Sequence, residues 1–271
     1  MNILEEIVAH KRQEVQEKKD LFPVRLLEKS IFYETPAASL RKYIRRADKS
    51  GVIAEIKRKS PSKGIINANV SIERTSIGYM QAGASALSVL TDTKFFGGKN
   101  EDLTTARKFN FCPILRKDFI IDEYQIIEAK SIGADAILLI AAVLTPEEIK
   151  RLGQFAHSLG MEVLLEVHNE AELTRSINEH VDLLGVNNRD LTSFKVDLNT
   201  SVTLASKIPS EFVKVSESGI HEPEDIVELK KHGFEGFLMG EKFMKNGRPE
   251  KSAERFIEKL SEIDKVNYAK A

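Results

Sequence analysis

The chain has no tryptophan and a single cysteine, Cys112. One thiol excludes an intrachain disulfide and a cysteine-based metal cage. Neither sign of charge is in excess: 40 Lys and Arg stand against 41 Asp and Glu, a net charge of -1. Without a basic surplus, nucleic acid and a polybasic membrane contact are disfavoured as partners. No apolar run reaches membrane-spanning length, and the opening residues, MNILEEIVAHKRQEVQEKKD, are too charged for a secretion signal. The expected location is therefore the cytoplasm. No Gly/Ser/Pro-rich linker divides the chain. What is present is 42% hydrophobic and 30% charged residues over 271 positions, the balance of a globular protein able to bury roughly three quarters of its extended surface.

Residues 1–50 read as an N-terminal helical extension. Ile3, Leu4, Ile7 and Val8 form one apolar stripe, followed by charges of both signs through Asp20. This predicts an amphipathic helix lying on the main domain, with a partner-binding helix as the lesser alternative. From Gly51 the texture changes. Strands are expected at Val52–Lys57, Ala86–Thr91, Pro113–Lys117, Ala136–Ile140, Glu162–Val167, Leu183–Asn187, Val213–Ser216 and Gly236–Met239. Helical patterns lie between them and after the last. Several strands are apolar nearly throughout, as expected of strands covered on both faces. Eight strand–helix pairs in residues 51–271 predict a (β/α)₈ barrel rather than an open sheet. The punctuation agrees: Thr145-Pro146-Glu147-Glu148 has the form of a helix start, and Gly83, Gly133, Gly160 and Gly233 each follow a helical stretch.

The informative residues break the strand pattern. Side chains alternate along a strand, so Ile53, Glu55 and Lys57 share one face. With Val52, Ala54 and Ile56 turned to the helices, the two charged groups enter the barrel at the carboxyl end of the strand. The same parity aligns Leu115 with Lys117, Leu164 with Glu166 and His168, Gly185 with Asn187 and Arg189, and Val215 with Glu217. Buried unpaired charge costs several kcal/mol, and this is the face where barrel enzymes keep their chemistry. Two lysines and three glutamates converging there suit acid/base catalysis on an anionic substrate.

Phosphate is the second expectation. Ser216-Glu217-Ser218-Gly219 ends the seventh strand and Leu238-Met239-Gly240-Glu241 follows in the eighth, where barrels often bind phosphate through backbone N–H groups. Glu241 would repel an anion, so its side chain is expected to turn away. Arg58-Lys59-Ser60-Pro61-Ser62-Lys63-Gly64, after the first strand, reads as a mobile basic loop that grips an anion.

These residues resemble the indole-3-glycerol-phosphate synthase family. The resemblance rests on six motifs in order: Ile53-Ala54-Glu55-Ile56-Lys57-Arg58-Lys59-Ser60-Pro61-Ser62-Lys63-Gly64; Leu87-Ser88-Val89-Leu90-Thr91-Asp92 with Phe95-Phe96-Gly97-Gly98; Leu115-Arg116-Lys117-Asp118-Phe119; Leu165-Glu166-Val167-His168; Gly185-Val186-Asn187-Asn188-Arg189-Asp190-Leu191; and Ser216-Glu217-Ser218-Gly219-Ile220. It covers about residues 1–262. It implies closure of the indole ring of 1-(2-carboxyphenylamino)-1-deoxyribulose 5-phosphate, with loss of carbon dioxide and water. By this resemblance Lys117 is the general acid and Glu166 the acid/base residue of dehydration. Glu55 assists proton transfer, Lys57 contacts the anionic substrate, and Asn187 and Glu217 hydrogen-bond in the site. Arg189 lies near the substrate carboxylate. Ser60, Ser218, Gly219, Gly240 and Glu241 hold phosphate, and Phe96, Phe119 and Leu139 wall the aromatic ring. Glu241 departs from a hydroxyl residue found in some relatives. Gly97-Gly98 alone is no nucleotide fingerprint, so no cofactor is expected, and no obligate protein partner is evident. The residues taken alone leave open another phosphate-binding barrel, such as phosphoribosylanthranilate isomerase, a Schiff-base aldolase through Lys117, or a non-catalytic barrel module.

Overall fold

Apolar runs with no polar face need cover on both sides, and a closed sheet ringed by helices supplies it. In the computed structural model, which describes residues 3–191 and 193–268, eight parallel strands close into a barrel in sequential order. They are β1 (Val52–Ile56), β2 (Ala86–Leu90), β3 (Ile114–Lys117), β4 (Ala136–Ile140), β5 (Glu162–Val167), β6 (Leu183–Asn187), β7 (Val213–Glu217) and β8 (Gly236–Met239). Helix α1 (Ile3–Leu21) precedes them. The barrel helices are α2 (Ile72–Gln81), α3 (Asn100–Phe109), α4 (Glu123–Ile132), α5 (Pro146–Ser158), α6 (Glu170–Ser176), α7 (Asn199–Ala205), α8 (Pro223–Lys231) and α9 (Pro249–Tyr268). Residues 269–271, the end of the expected barrel range, lie outside the described residues.

Strand alternation divides the interior into two apolar layers. Val52, Ala54 and Ile56 of β1 pack outward against the helices. Ile53, with Leu115, Leu164, Val213 and Val215, fills the barrel itself. A short helix, Leu40–Ile44, plugs the amino-terminal floor, where Leu40 and Ile44 join the inner layer. Helix starts follow the expected local chemistry. Thr145 and Glu148 form a reciprocal capping box with Pro146 at the first position of α5. At the other end of a helix, Gly133 takes φ 95° after α4, a left-handed cap that a side chain would strain.

Two additions were not legible as elements. The loop after β1 is a small hairpin, pairing Lys59–Ser60 with Gly64–Ile65. A one-turn helix, Glu241–Met244, follows β8 directly.

Helix α1 lies along the barrel with Ile7, Lys11 and Val15 buried, and charge pins it there. Lys11, 1% exposed, places its ammonium 3.0 Å from Asp92, 3.0 Å from Asp118 and 2.8 Å from Glu14. Farther along, Lys18 reaches Glu128 of α4, and the Tyr124 hydroxyl donates to the carbonyls of Lys18 and Phe22. Burial disfavours the charge on Asp118, but Lys11 and then Arg116 outweigh it and hold the carboxyl below the usual range. Such a group adds stability above its unfolded pKa of 3.8 that is lost as the pH falls. Lys11→Ala strands two buried carboxylates and is expected to cost about 3–5 kcal/mol in urea unfolding. Its loss of stability on acidification below pH 5 should also be shallower than in the parent chain.

Candidate active site

The carboxyl ends of the strands open into one cavity of about 430 Å³. It is lined by Glu55 and Lys57 at the end of β1, Lys117 of β3, Glu166 of β5, Asn187 of β6 and Glu217 of β7. Each follows an inward-facing residue by two positions. Register fixes their heights: Glu166 pairs with Ile140 and Gly185, and Asn187 pairs with Glu217.

Charge is arranged around Lys117. Its Nζ donates to Glu166 Oε2 at 2.9 Å and to Glu217 Oε2 at 2.7 Å. Beside it, Lys57 Nζ lies 2.7 Å from Glu55 Oε1. Burial works against the Lys117 ammonium, but Glu166, Glu217 and Glu55 together raise its pKa. The balance between lysine clustering and nearby carboxylates is thus won by the carboxylates. The two partners of Lys117 differ. Glu166 is opposed by burial but lowered from 4.5 to about 2 by Lys117, His168 and the Asn187 amide. Glu217 is pushed up to about 7, first by burial and then by Glu166, against the pull of Lys117. Its Oε1 is buried without a hydrogen-bond partner, which is why its charge is the less favoured.

Residues of opposite parity hold the strand ends from outside. Arg116, 1% exposed, donates to Glu128 at 2.5 Å and to the Gln125 carbonyl at 2.7 Å. Asp118 accepts from Thr91 at 2.5 Å. Asn188 donates to the carbonyls of Glu217 and Ser218 and accepts from Ser201.

The same cavity holds the residues of the expected phosphate end. Ser60, Ser218, Gly219, Gly240 and Glu241 all line it. Ser218 and Gly219 are consecutive left-handed residues, φ 67° and 83°, and at Ser218 this is a sparsely occupied conformation. Gly240 is glycine because of space: a Cβ there would stand 2.7 Å from Glu55 Oε1. The Glu241 carboxylate does not turn away. It lies 3.4 Å from the Arg189 guanidinium and 3.6 Å from Lys63 Nζ, paired to both cations across the mouth. The basic loop after β1 contributes less than its composition suggested. Arg58 pairs with Asp102 of α3, and Lys59 donates to the Lys94 carbonyl at 2.6 Å, so neither lines the cavity.

Phe96 and Phe119 stand together on the wall, ring centres 5.9 Å apart. Leu139 does not join them. It packs in the outer layer between sheet and helices, whereas Leu138 and Ile140 enter the cavity. Alternation decides this: Ala136, Leu138 and Ile140 share the inward face of β4. Sequence reasoning also missed Ile3, Leu4 and Ile7, which reach over the mouth from α1. Their apolar stripe was visible; where it docks was not. The segment after Asn187 folds back through a bridge between Arg189 and Val196 and adds Leu191, Phe194 and Val196 to the rim.

Fold and site together define a closed (β/α)₈ barrel with lysines and glutamates paired at the carboxyl ends of its strands. The chain belongs to the indole-3-glycerol phosphate synthase family, whose model matches residues 4–256. A relative from Bacteroides thetaiotaomicron, named indole-3-glycerol phosphate synthase, is 48% identical over 259 residues, 96% of this chain and 99% of that one. Another of the same name, from Caldanaerobacter subterraneus, is 44% identical over 245 residues, 90% and 93% of the two chains. Among solved structures, 3-hexulose-6-phosphate synthase from Salmonella typhimurium superposes with a TM-score of 0.61 at 12% identity, over 78% of this chain and 98% of that one. A thiamine phosphate pyrophosphorylase from Pyrococcus furiosus gives 0.57 at 15%, over 77% and 95%. These likenesses show the fold alone.

Two measurements check this geometry. Leu139→Ala should cost about 2–5 kcal/mol of stability with KM unchanged, while Leu138→Ala should raise KM. For Glu217, a folded pKa of about 7 against 4.5 unfolded means that stability falls as pH rises between those values. Glu217→Gln should therefore gain thermal stability on the parent chain at pH 8 relative to pH 5.

Proposed function

We propose that this mouth closes the indole ring of 1-(2-carboxyphenylamino)-1-deoxyribulose 5-phosphate, with Lys117 as general acid. That is the carboxy-lyase reaction of tryptophan biosynthesis carried by family membership. The observation that supports the assignment of Lys117 is its position between two carboxylates, 2.9 Å from Glu166 and 2.7 Å from Glu217. An ammonium so placed is fully protonated and held still, as a proton donor to a carbonyl oxygen must be.

The aromatic carbon bearing the carboxylate attacks the ketose carbonyl carbon. Lys117 delivers a proton to the carbonyl oxygen as negative charge builds there, and a hydroxyl results. Carbon dioxide then leaves, and its bonding electrons restore the aromatic ring. Loss of that hydroxyl as water needs one proton given to oxygen and another removed from the ring skeleton. Glu166, kept ionised, is the group for the removal. Lys57, fixed by Glu55 at 2.7 Å, contacts the substrate's anionic end. Asn187 accepts the Arg189 backbone N–H at 3.1 Å, which steadies the Asn187 amide, and the Arg189 guanidinium is the group for the substrate carboxylate. Phe96 and Phe119 offer their faces to the aromatic ring.

The sugar phosphate belongs at Ser218, Gly219, Gly240 and Glu241, with Ser60 from the loop opposite. The carbonyls of Glu217 and Ser218 are engaged by Asn188, away from the anion. Among the described residues no helix is long and apolar enough to cross a membrane, in keeping with a cytoplasmic enzyme of small phosphorylated metabolites.

With no tryptophan in the chain, indole fluorescence reads product against a low background. The parent chain should convert the carboxyphenylamino-deoxyribulose phosphate to a fluorescent indole. Lys117→Ala should lower kcat by about 10²–10⁴-fold at a temperature where circular dichroism shows it folded, with its melting point lowered by the two carboxylates it leaves unpaired. Glu166→Gln should release carbon dioxide faster than it forms indole. A near-normal rate in Lys117→Ala would remove the general-acid role.

A further inference from the structure

His168 stands two residues beyond Glu166 on the same side of β5, with its side chain 9% exposed. It is absent from the cavity lining, and no step of the reaction above uses it. Both of its ring nitrogens face carboxylates. Nδ1 lies 3.1 Å from Glu172 Oε2. That same oxygen accepts the His168 backbone N–H at 2.8 Å, and the other oxygen of Glu172 accepts from Asn169 at 3.1 Å. Nε2 points the other way, 3.4 Å from Glu166 Oε1, an ion-pair separation without an aligned hydrogen bond. The charged groups acting on the ring are Glu166 on its own strand, Glu172 from α6 and Glu217 from β7.

A carboxylate only accepts hydrogen bonds. A neutral imidazole between two of them must aim a lone pair at one. The doubly protonated ring donates an N–H to Glu172 and sets its positive charge within 3.4 Å of Glu166. Its charge is opposed by burial but favoured by the hydrogen bond to Glu172 and the carboxylates around it, so the ring's pKa is raised.

This matters because Lys117 is a temporary counter-charge. On the proposed reading, it becomes neutral when its proton passes to the substrate oxygen. Glu166 is buried and must next act as a base, so it would be left without a cation at the moment it needs one. We propose that His168, held as an imidazolium by Glu172, is a positioning residue that keeps Glu166 ionised and oriented after Lys117 has given up its proton. Glu166 thereby has two cationic neighbours, one that takes part in the reaction and one that does not. The long approach of Nε2 leaves room for the pair to close as Lys117 moves to the substrate.

The proposal rests on the function proposed above for its catalytic consequence, but not for the state of the ring. Nitrogen-15 NMR of the ligand-free chain, with His168→Gln to assign the signal, should show both ring nitrogens protonated at pH 7.5. A neutral ring there overturns the proposal, whether or not the chain turns over substrate. In turnover, His168→Gln should move the acidic limb of the kcat profile upward by about one pH unit, with KM within twofold of the parent. Glu172→Gln, which keeps the ring and removes its anchor charge, should shift the limb the same way by less, and it serves if His168→Gln folds poorly. An unmoved acidic limb, or a change confined to KM, overturns the role. A parent chain that makes no indole refutes the proposed function, and the NMR result then still decides the state of His168.

Discussion

An ammonium cannot be left alone in a half-enclosed mouth, and the architecture around Lys117 is organised by that constraint. Its counter-charges come from β5 and β7, neighbours in neither sequence nor sheet. They meet because a closed barrel turns the ends of all its strands toward one point. Precision comes from the opposite faces of the same strand ends. Arg116 and Asp118 flank Lys117 in sequence but point outward, into pairs with Glu128, Thr91 and Lys11. Asn187 and Asn188 divide their work in the same way, one facing the cavity and the other tying down the turn after β7. On β3 and β6 alternation thus places a cavity-lining residue inside and clamps outside.

Much of this was readable from the sequence because period two is a strong local signal wherever an apolar run ends in a charge. Glu55, Lys117, Glu166, Asn187 and Glu217 are placed inside by parity, and all five line the cavity. Leu139 went astray where parity was not applied: its position came from resemblance, while the inward face of β4 holds Leu138 and Ile140. In an all-apolar strand no polar residue marks the face, so the register of adjacent strands has to be counted.

Other features lay beyond local pattern because they depend on where distant segments dock. The stripe of α1 announced a buried face but not that it roofs the mouth, and Lys11 read as one charge among many until Asp92 and Asp118 closed around it. Arg58 looked available to an anion and is occupied by Asp102 instead. Composition gives the number of cations in a loop; only the fold tells which of them are already spoken for.

Glu241 carries a further consequence. Its carboxylate lies between Arg189 and Lys63 and so bridges the loop after β6 to the loop after β1. On the proposed function, a sugar phosphate at that end would meet two cations already paired to an anion of the protein. Glu241 is thus an internal tether between the two loops, and its negative charge offsets part of the rim's positive charge and mutes its long-range pull on an anion.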